Sequence, residues 1–117
     1  MQNNLSLGTI KEELAADYLE KNEISVLTRN YRCRYGEIDI IAKDGEYLVF
    51  VEVKYRKDLN KGYPQEAVTI RKQKTIAFVA NYYIMQHNLE LDTPIRFDVI
   101  AILGEEITHI KNAFSAI

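Results

Sequence analysis

Cysteine is nearly absent: Cys33 is the only one in 117 residues. No internal disulfide can form, and the Cys/His spacing of a structural zinc site is missing. Long hydrophobic runs are missing too. No stretch reaches the roughly eighteen apolar residues that a membrane-spanning helix needs. The opening residues, MQNNLSLGTIKEEL, lack a basic segment followed by an apolar core, so no secretory signal is expected and a cytoplasmic setting is the default. There is no excess of positive charge. The formal net charge is −2, so the chain as a whole does not attract a polyanion. Repeats and low-complexity tracts are absent. The two histidines, His87 and His109, stand apart from any acid or serine pattern and read as ordinary surface residues.

What is present suits one domain over residues 1–117, with 47% hydrophobic and 27% charged residues. Its centre is the stretch from Gly36 to Arg56, GEIDIIAKDGEYLVFVEVKYR. Two runs rich in Ile, Val, Phe and Tyr flank Asp44-Gly45, the signal of a tight hairpin. With Asp44 and Gly45 as the turn, Lys43 faces Glu46, Asp39 faces Phe50 and Glu37 faces Glu52. Side chains alternate along a strand. One face then carries Glu37, Asp39, Ile41, Leu48, Phe50, Glu52 and Lys54. The other carries Ile38, Ile40, Ala42, Tyr47, Val49, Val51, Val53 and Tyr55, and is plain core.

The first face gathers three carboxylates and a lysine at one end of an apolar strand pair. Asp39 and Glu52 are expected as diagonal neighbours, roughly 7–8 Å apart at the backbone. Carboxylates so placed can share a hard divalent cation such as Mg²⁺ or Mn²⁺. Lys54 shares their side and can position a nucleophile or offset charge on a phosphate. The plain alternative is an exposed hairpin face with a Glu–Lys pair. Against it, Phe50 and Leu48 on the same face argue for cover, and facing like charges are unfavourable without a cation.

Basic residues cluster although the total does not favour them. Lys54, Arg56, Lys57, Lys61, Arg71, Lys72 and Lys74 stand against Asp58 and Glu66 in one stretch, and Arg29, Arg32 and Arg34 form a second group. Such runs are often solvated faces. Beside the carboxylates they are read as phosphate contacts, with Lys57, Lys61 and Lys72 farther from the reacting phosphate than Lys54. In the first helix, Ser6 or Thr9 to about Lys21, the residues Leu7, Ile10, Leu14 and Tyr18 share a stripe widened by Leu5, Ala15, Ala16 and Leu19. Glu12 and Lys11 fall inside that arc, while Glu13 lies in water. A carboxylate there needs a partner, and a boundary ion pair with an arginine would suffice.

The rest of the chain reads in order. Ile24 to Tyr35 is a strand completing a meander of three, and Asp58 to Pro64 is a loop. A helix from about Gln65 to His87 crosses back to a parallel strand, Ile95 to Leu103. In that strand Arg96 and Asp98 suggest an ion pair, with Arg96 also free to approach phosphate. Ile107 to Ile110 is a short edge strand. The order is α-β-β-β-α-β-β, a mixed α/β sheet with packed helices.

Asp39 followed by Glu52-Val53-Lys54 on the next strand resembles the PD-(D/E)xK nuclease signature. The wider set Arg29-Asn30-Tyr31-Arg32, Gly36-Glu37-Ile38-Asp39 and Phe50-Val51-Glu52-Val53-Lys54 resembles the YraN-like family, small endonuclease-like bacterial proteins akin in fold to Holliday-junction resolvases. The resemblance runs from about Gly8 to Ile102 and implies a restriction-endonuclease-like fold. It implies a metal-dependent endonuclease acting on DNA, with branched or structured DNA among the expected substrates and Mg²⁺ or Mn²⁺ at Asp39, Glu52 and the Val53 carbonyl. It implies that Glu12 completes the site and that a homodimer is the working form; Glu37 is a further assisting candidate, and Gln65 is either an assisting residue, as the resemblance implies, or a plain polar residue of the helix's first turn. A non-catalytic nucleic-acid-binding module and a small adaptor domain with a structural cation remain the alternatives.

Overall fold

The computed structural model describes residues 6–116. Helix α1 covers Leu7–Lys21, followed by strands β1 (Ser25–Cys33), β2 (Gly36–Asp44) and β3 (Tyr47–Arg56). A 3₁₀ turn, Pro64–Ala67, precedes helix α2 (Ile70–Gln86), and β4 (Ile95–Leu103) and β5 (Glu106–Phe114) complete the chain. The five strands form one sheet in the order β1-β2-β3-β4-β5. Every neighbouring pair is antiparallel except β3 and β4, which α2 joins in parallel. This is the expected α-β-β-β-α-β-β order in a mixed sheet.

The two faces of the sheet carry separate cores. Ala15, Ala16 and Leu19 of α1 pack on Ile40, Ala42, Val49, Val51, Ile100 and Ile102. Ile76, Val79, Ala80 and Tyr83 of α2 pack on Ile38, Ile41, Leu48, Phe50, Phe97 and Val99. The α1 stripe differs from expectation: Leu7, Ile10 and Leu14 are exposed. The two alanines let the helix close on the sheet along their own flank. Ser6 caps α1 by accepting a hydrogen bond from the Thr9 amide at 3.2 Å.

The β2–β3 turn is displaced from the expected one. Asp44 pairs with Tyr47, so Gly45 and Glu46 are the turn, with Gly45 at φ +59° in its first central position. Asp44 is held in the strand because its carboxylate accepts a hydrogen bond from Arg96 of β4 at 2.8 Å. Ile40 consequently faces Val51, and the same register carried onward sets Asp39 against Glu52 rather than Phe50. Glu37 does not face Glu52. Alternation breaks at Asp39: Ile38 packs on the α2 side and Ile40 on the α1 side, so the single core face expected for both is not formed, and Asp39 meets Glu52 and Lys54 at one end of the strand pair.

The second helix also starts late. Pro64–Ala67 forms the 3₁₀ turn, Val68 leaves helical geometry and is buried, and extended Thr69 caps α2 by accepting from the Lys72 amide at 3.2 Å. The last strand is nine residues rather than a short edge piece.

His109 corrects its reading as a surface residue. Its side chain is 4% exposed, and its Nε2 lies 2.7 Å from the Asp98 carboxylate. Its Nδ1 meets the Tyr18 hydroxyl of α1 at 3.3 Å. Asp98 is fully buried and also takes two guanidinium bonds from Arg96, both 2.9 Å, and the Asn112 amide at 3.0 Å. The expected Arg96–Asp98 ion pair is therefore the middle of a network joining α1, β2, β4 and β5. Arg96, spread between Asp98 and Asp44, is turned away from any phosphate role. His87 is exposed at the end of α2, as expected.

Candidate active site at a strand fork

β2 and β3 stop pairing at Ile40–Val51, while β2 stays paired with β1 as far as Gly36 and β3 with β4 as far as Arg56. The strands therefore fork. In the fork the Asp39 carboxylate accepts a hydrogen bond from the Val53 amide at 2.8 Å, replacing the backbone partner that β2 no longer offers. On the β1 side, Asn30 takes a left-handed conformation, φ +53°, between the Arg29–Ile40 and Tyr31–Ile38 pairs.

A cavity of about 300 Å³ opens at this fork. It is walled by Gly8, Lys11 and Glu12 from α1, Glu37 and Asp39 from β2, the Glu52–Arg56 run of β3, and Lys72 from α2. Both helices thus bring their first turns to the same end of the sheet. Glu52 is 4% exposed at its side chain, and its Oε2 lies 3.4 Å from Lys54 Nζ and 3.5 Å from Lys72 Nζ. Burial, then the adjacent Asp39 carboxylate, raise its pKa from 4.5 to about 7, against the opposing pull of Lys72 and Lys54. Glu12, at the rim, is also raised, first by burial and then by Asp39, with Arg29 and Asn30 acting the other way.

The expected residues divide by this geometry. Glu12, Glu37, Asp39, Glu52, Val53, Lys54 and Arg56 line one cavity. Glu37 is half exposed and paired with Arg32 at 3.1 Å. Lys72 is nearer than expected, since α2 begins at Ile70 and its first turn overhangs the fork. Lys57 and Lys61 line an adjoining cavity of about 420 Å³ that shares Tyr55 and Arg56 with the site. Gln65 lines a different cavity with Val68, Gln73 and Phe114, and does not join the carboxylates. Arg29 turns to Glu13 at 3.4 Å, and Arg34 donates to the Tyr35 hydroxyl at 2.7 Å. Lys11 is the residue that sequence reasoning left aside. Its ammonium lies 4.5 Å from the Tyr55 ring centroid, inside the cavity. Its only signal was a charge inside the apolar arc of α1.

The donor set bears on which ions could sit here. Among the described residues no three His, Cys, Asp or Glu side chains converge closely enough to cage a metal. Two do share the cavity, Asp39 and Glu52, and the Asp39 charge is felt at Glu52. A pair of carboxylates fits Mg²⁺ or Mn²⁺, since Mg²⁺ usually keeps several waters and takes only one or two protein carboxylates beside a substrate phosphate. It does not fit zinc, which favours a closed nitrogen and sulfur set.

Comparison with known proteins places this chain among close relatives. Residues 11–102 match the model of "Uncharacterised protein family UPF0102". A "UPF0102 protein" of Lachnoclostridium phytofermentans is 55% identical over 109 residues, covering 93% of this chain and 92% of that protein. One of Clostridioides difficile is 48% identical over 114 residues, 96% of this chain and 99% of its own. One of Rhodococcus opacus is 43% identical over 119 residues, 97% and 100% respectively. No helix of the described residues is long and apolar enough to cross a membrane.

Proposed function

The chain belongs to the uncharacterised protein family UPF0102, and, since that membership carries no reaction, we propose one from the site: metal-dependent hydrolysis of phosphodiester bonds in DNA. The observation that carries this reading is the buried Glu52 carboxylate, sharing an open cavity with Asp39 and facing two lysines. A structural ion pair needs one acid and one base. The Asp39 charge raises the proton affinity of the buried Glu52 carboxylate and so weakens the fold. A divalent cation removes that penalty.

Asp39, Glu52 and the Val53 carbonyl would hold Mg²⁺ or Mn²⁺, and the ion would supply Lewis-acid activation of water and neutralisation of the phosphate. The remaining work falls to the protein. Asp39 is oriented by the Val53 amide, so its approach to Glu52 is fixed by backbone. Lys54, anchored in β3, has its ammonium within reach of a phosphate entering the cavity and positions the attacking water or offsets developing charge. Lys72 supplies a second ammonium from the opposite wall. Lys11 and Arg56 line the approach, and Lys57 and Lys61 continue a basic track beyond it. A binding module without catalysis is the competing reading. It is favoured by one observation, that Glu12 does not converge with the two carboxylates into a closed metal cage.

Two outcomes separate these readings. Removing one preorganised charge at the reacting phosphate lowers turnover by about 10²–10³. Lys54→Ala should show that loss at saturating DNA while affinity persists. Lys57→Ala should instead weaken binding and make its log–log salt dependence shallower by about one, with turnover at saturation retained. Normal cleavage by Lys54→Ala in Mg²⁺ and Mn²⁺ would overturn the mechanism.

Glu12 and Glu13 are adjacent but point apart. Glu12 borders the cavity, and Glu13 is exposed and pairs with Arg29. Glu12→Gln should lower Mn²⁺ affinity by roughly tenfold, the scale of an outer-shell partner. Glu13→Gln should leave it within a factor of two. Titration calorimetry giving equal effects, or a larger one at Glu13, would exclude Glu12 from the site.

A further inference from the structure

Helix α2 presents a second face that neither the core nor the carboxylate cavity uses. At about 100° per residue, Arg71, Lys74, Phe78, Tyr82 and Met85 fall within one arc, turned away from Ile76, Ala80 and Tyr83. Phe78 is 56% exposed and Met85 73%. Tyr35, from the turn between β1 and β2, joins this face. Its ring centroid lies 4.7 Å from Phe78 and 5.6 Å from Tyr82, both in edge-on arrangements. Arg34 covers Tyr35, with its guanidinium carbon 4.9 Å from the ring centroid.

Gly36 is what permits the junction. A Cβ there would meet Thr75 at 3.0 Å and Val79 at 3.3 Å, and its φ is +149°. The turn can therefore seat directly on α2 and bring Tyr35 to Phe78. Tyr35, Lys74, Thr75 and Phe78 line an open depression of about 300 Å³ with no acidic residue among them. Among the described residues, Arg34, Arg71 and Lys74 enter no ion pair.

The patch borders the cleavage cavity. Glu37, two residues beyond Tyr35, lines that cavity, and so does Lys72. Lys72 and Phe78 are separated by six residues of helix, about 9 Å along the axis, so one strand can reach both. Exposed aromatic faces rimmed by unpaired cations match a ligand with flat apolar faces on an anionic backbone. Duplex DNA hides its base faces in the stack, whereas an unpaired strand offers them.

We propose that Tyr35, Phe78 and Tyr82, with Arg34, Arg71 and Lys74, form a stacking platform for unpaired bases of a nucleic-acid strand next to the carboxylate cavity. This deepens the nuclease reading and rests on it for the direction of the strand, which runs from the platform into the site. A substrate with unpaired nucleotides beside the cut is thereby favoured over continuous duplex.

The test measures binding without metal, so that no cleavage enters. The probes are a fluorescein-labelled fifteen-nucleotide single strand, the same sequence as blunt duplex, and the single strand carrying 2-aminopurine. Loss of one stacked base costs roughly five- to hundredfold in affinity. Phe78→Ala should weaken single-strand binding about tenfold by anisotropy, change duplex binding less than twofold, and abolish the quenching of 2-aminopurine seen with the unmodified protein. Phe78→Tyr should restore all three values. Equal loss on both probes, or no loss on either, would overturn the proposal. So would a chain that sediments as a dimer and becomes monomeric in Phe78→Ala, since the face would then be covered by a second copy. In a separate assay with Mg²⁺, absence of cutting with selective stacking intact would count against the nuclease reading alone.

Discussion

Replacing Glu52 by glutamine should stabilise the metal-free protein at pH 8 by roughly 3 kcal/mol, and the same variant should lose DNA cleavage. The stabilisation follows from burial of the carboxyl and from the Asp39 charge, which together raise its pKa from 4.5 to about 7. The native state therefore holds this proton more tightly than the unfolded chain does. Below about pH 4.5 both states are protonated and the group contributes no difference. As pH rises from there through about 7, the unfolded chain ionises first and stability falls. At about 1.36 kcal/mol per pH unit, the interval amounts to roughly 3 kcal/mol. Glutamine keeps the shape without the charge, and Lys54 and Lys72, both partly exposed, can turn to water. Thermal unfolding should thus show the variant well above the parent at pH 8 and close to it at pH 5. Mg²⁺ should raise the parent's midpoint and leave the variant's unchanged. A variant no more stable than the parent at pH 8 would mean that Glu52 is not under the strain described.

Arg96→Ala should destabilise the protein by about 3–5 kcal/mol, the scale of removing one partner from a buried ion pair. Asp98 is fully buried, and Arg96 is 12% exposed at its side chain. Burial by itself would raise the Asp98 pKa. Hydrogen bonds from His109, Arg96 and the Asn112 amide more than offset it and leave the group below the usual carboxylate value. A depressed acid contributes stability above its unfolded pKa and loses it as pH falls through the folded one. The destabilisation by Arg96→Ala should therefore be largest near neutrality and shrink in acid. Arg96→Met combined with Asp98→Asn should recover part of the loss, since no charge is then stranded. Chemical denaturation showing less than about 1 kcal/mol at pH 7 would exclude the network as a main support of the sheet.

The segments that read well were those whose signal is local. Ile95–Leu103 has the limits expected of it because its run is apolar and bounded by Pro94 and Gly104. Helix α1 ends at Lys21 as expected, with Ser6 as its cap. The grouping of Asp39, Glu52 and Lys54 is legible because all three lie at the same end of the β2–β3 pair, whereas a shared face is not, since Ile38 and Ile40 take opposite sides of the sheet. What failed depended on distant partners. The turn moved because Arg96, 52 positions away, holds Asp44 in the strand. His109 was misread because its partners, Asp98 and Tyr18, lie 11 and 91 residues off. Lys72 lies nearer the chemistry than a helix starting at Gln65 would put it, because Thr69 caps the helix and Ile70 starts it. The fork was not readable, since nothing local marks where two strands part.

Cleavage itself is the direct measurement. The purified protein should be incubated with a panel of labelled DNAs, namely duplex, flap, splayed fork and four-way junction, in Mg²⁺ and in Mn²⁺, beside Glu52→Gln prepared identically. At least one branched or partly unpaired DNA should be cut by the parent in either metal. Chelation should stop the reaction, and Glu52→Gln should be slower by about 10³, or roughly 4 kcal/mol of barrier. Binding without cutting of every substrate in both metals, or cutting that Glu52→Gln performs equally well, would contradict the central claim.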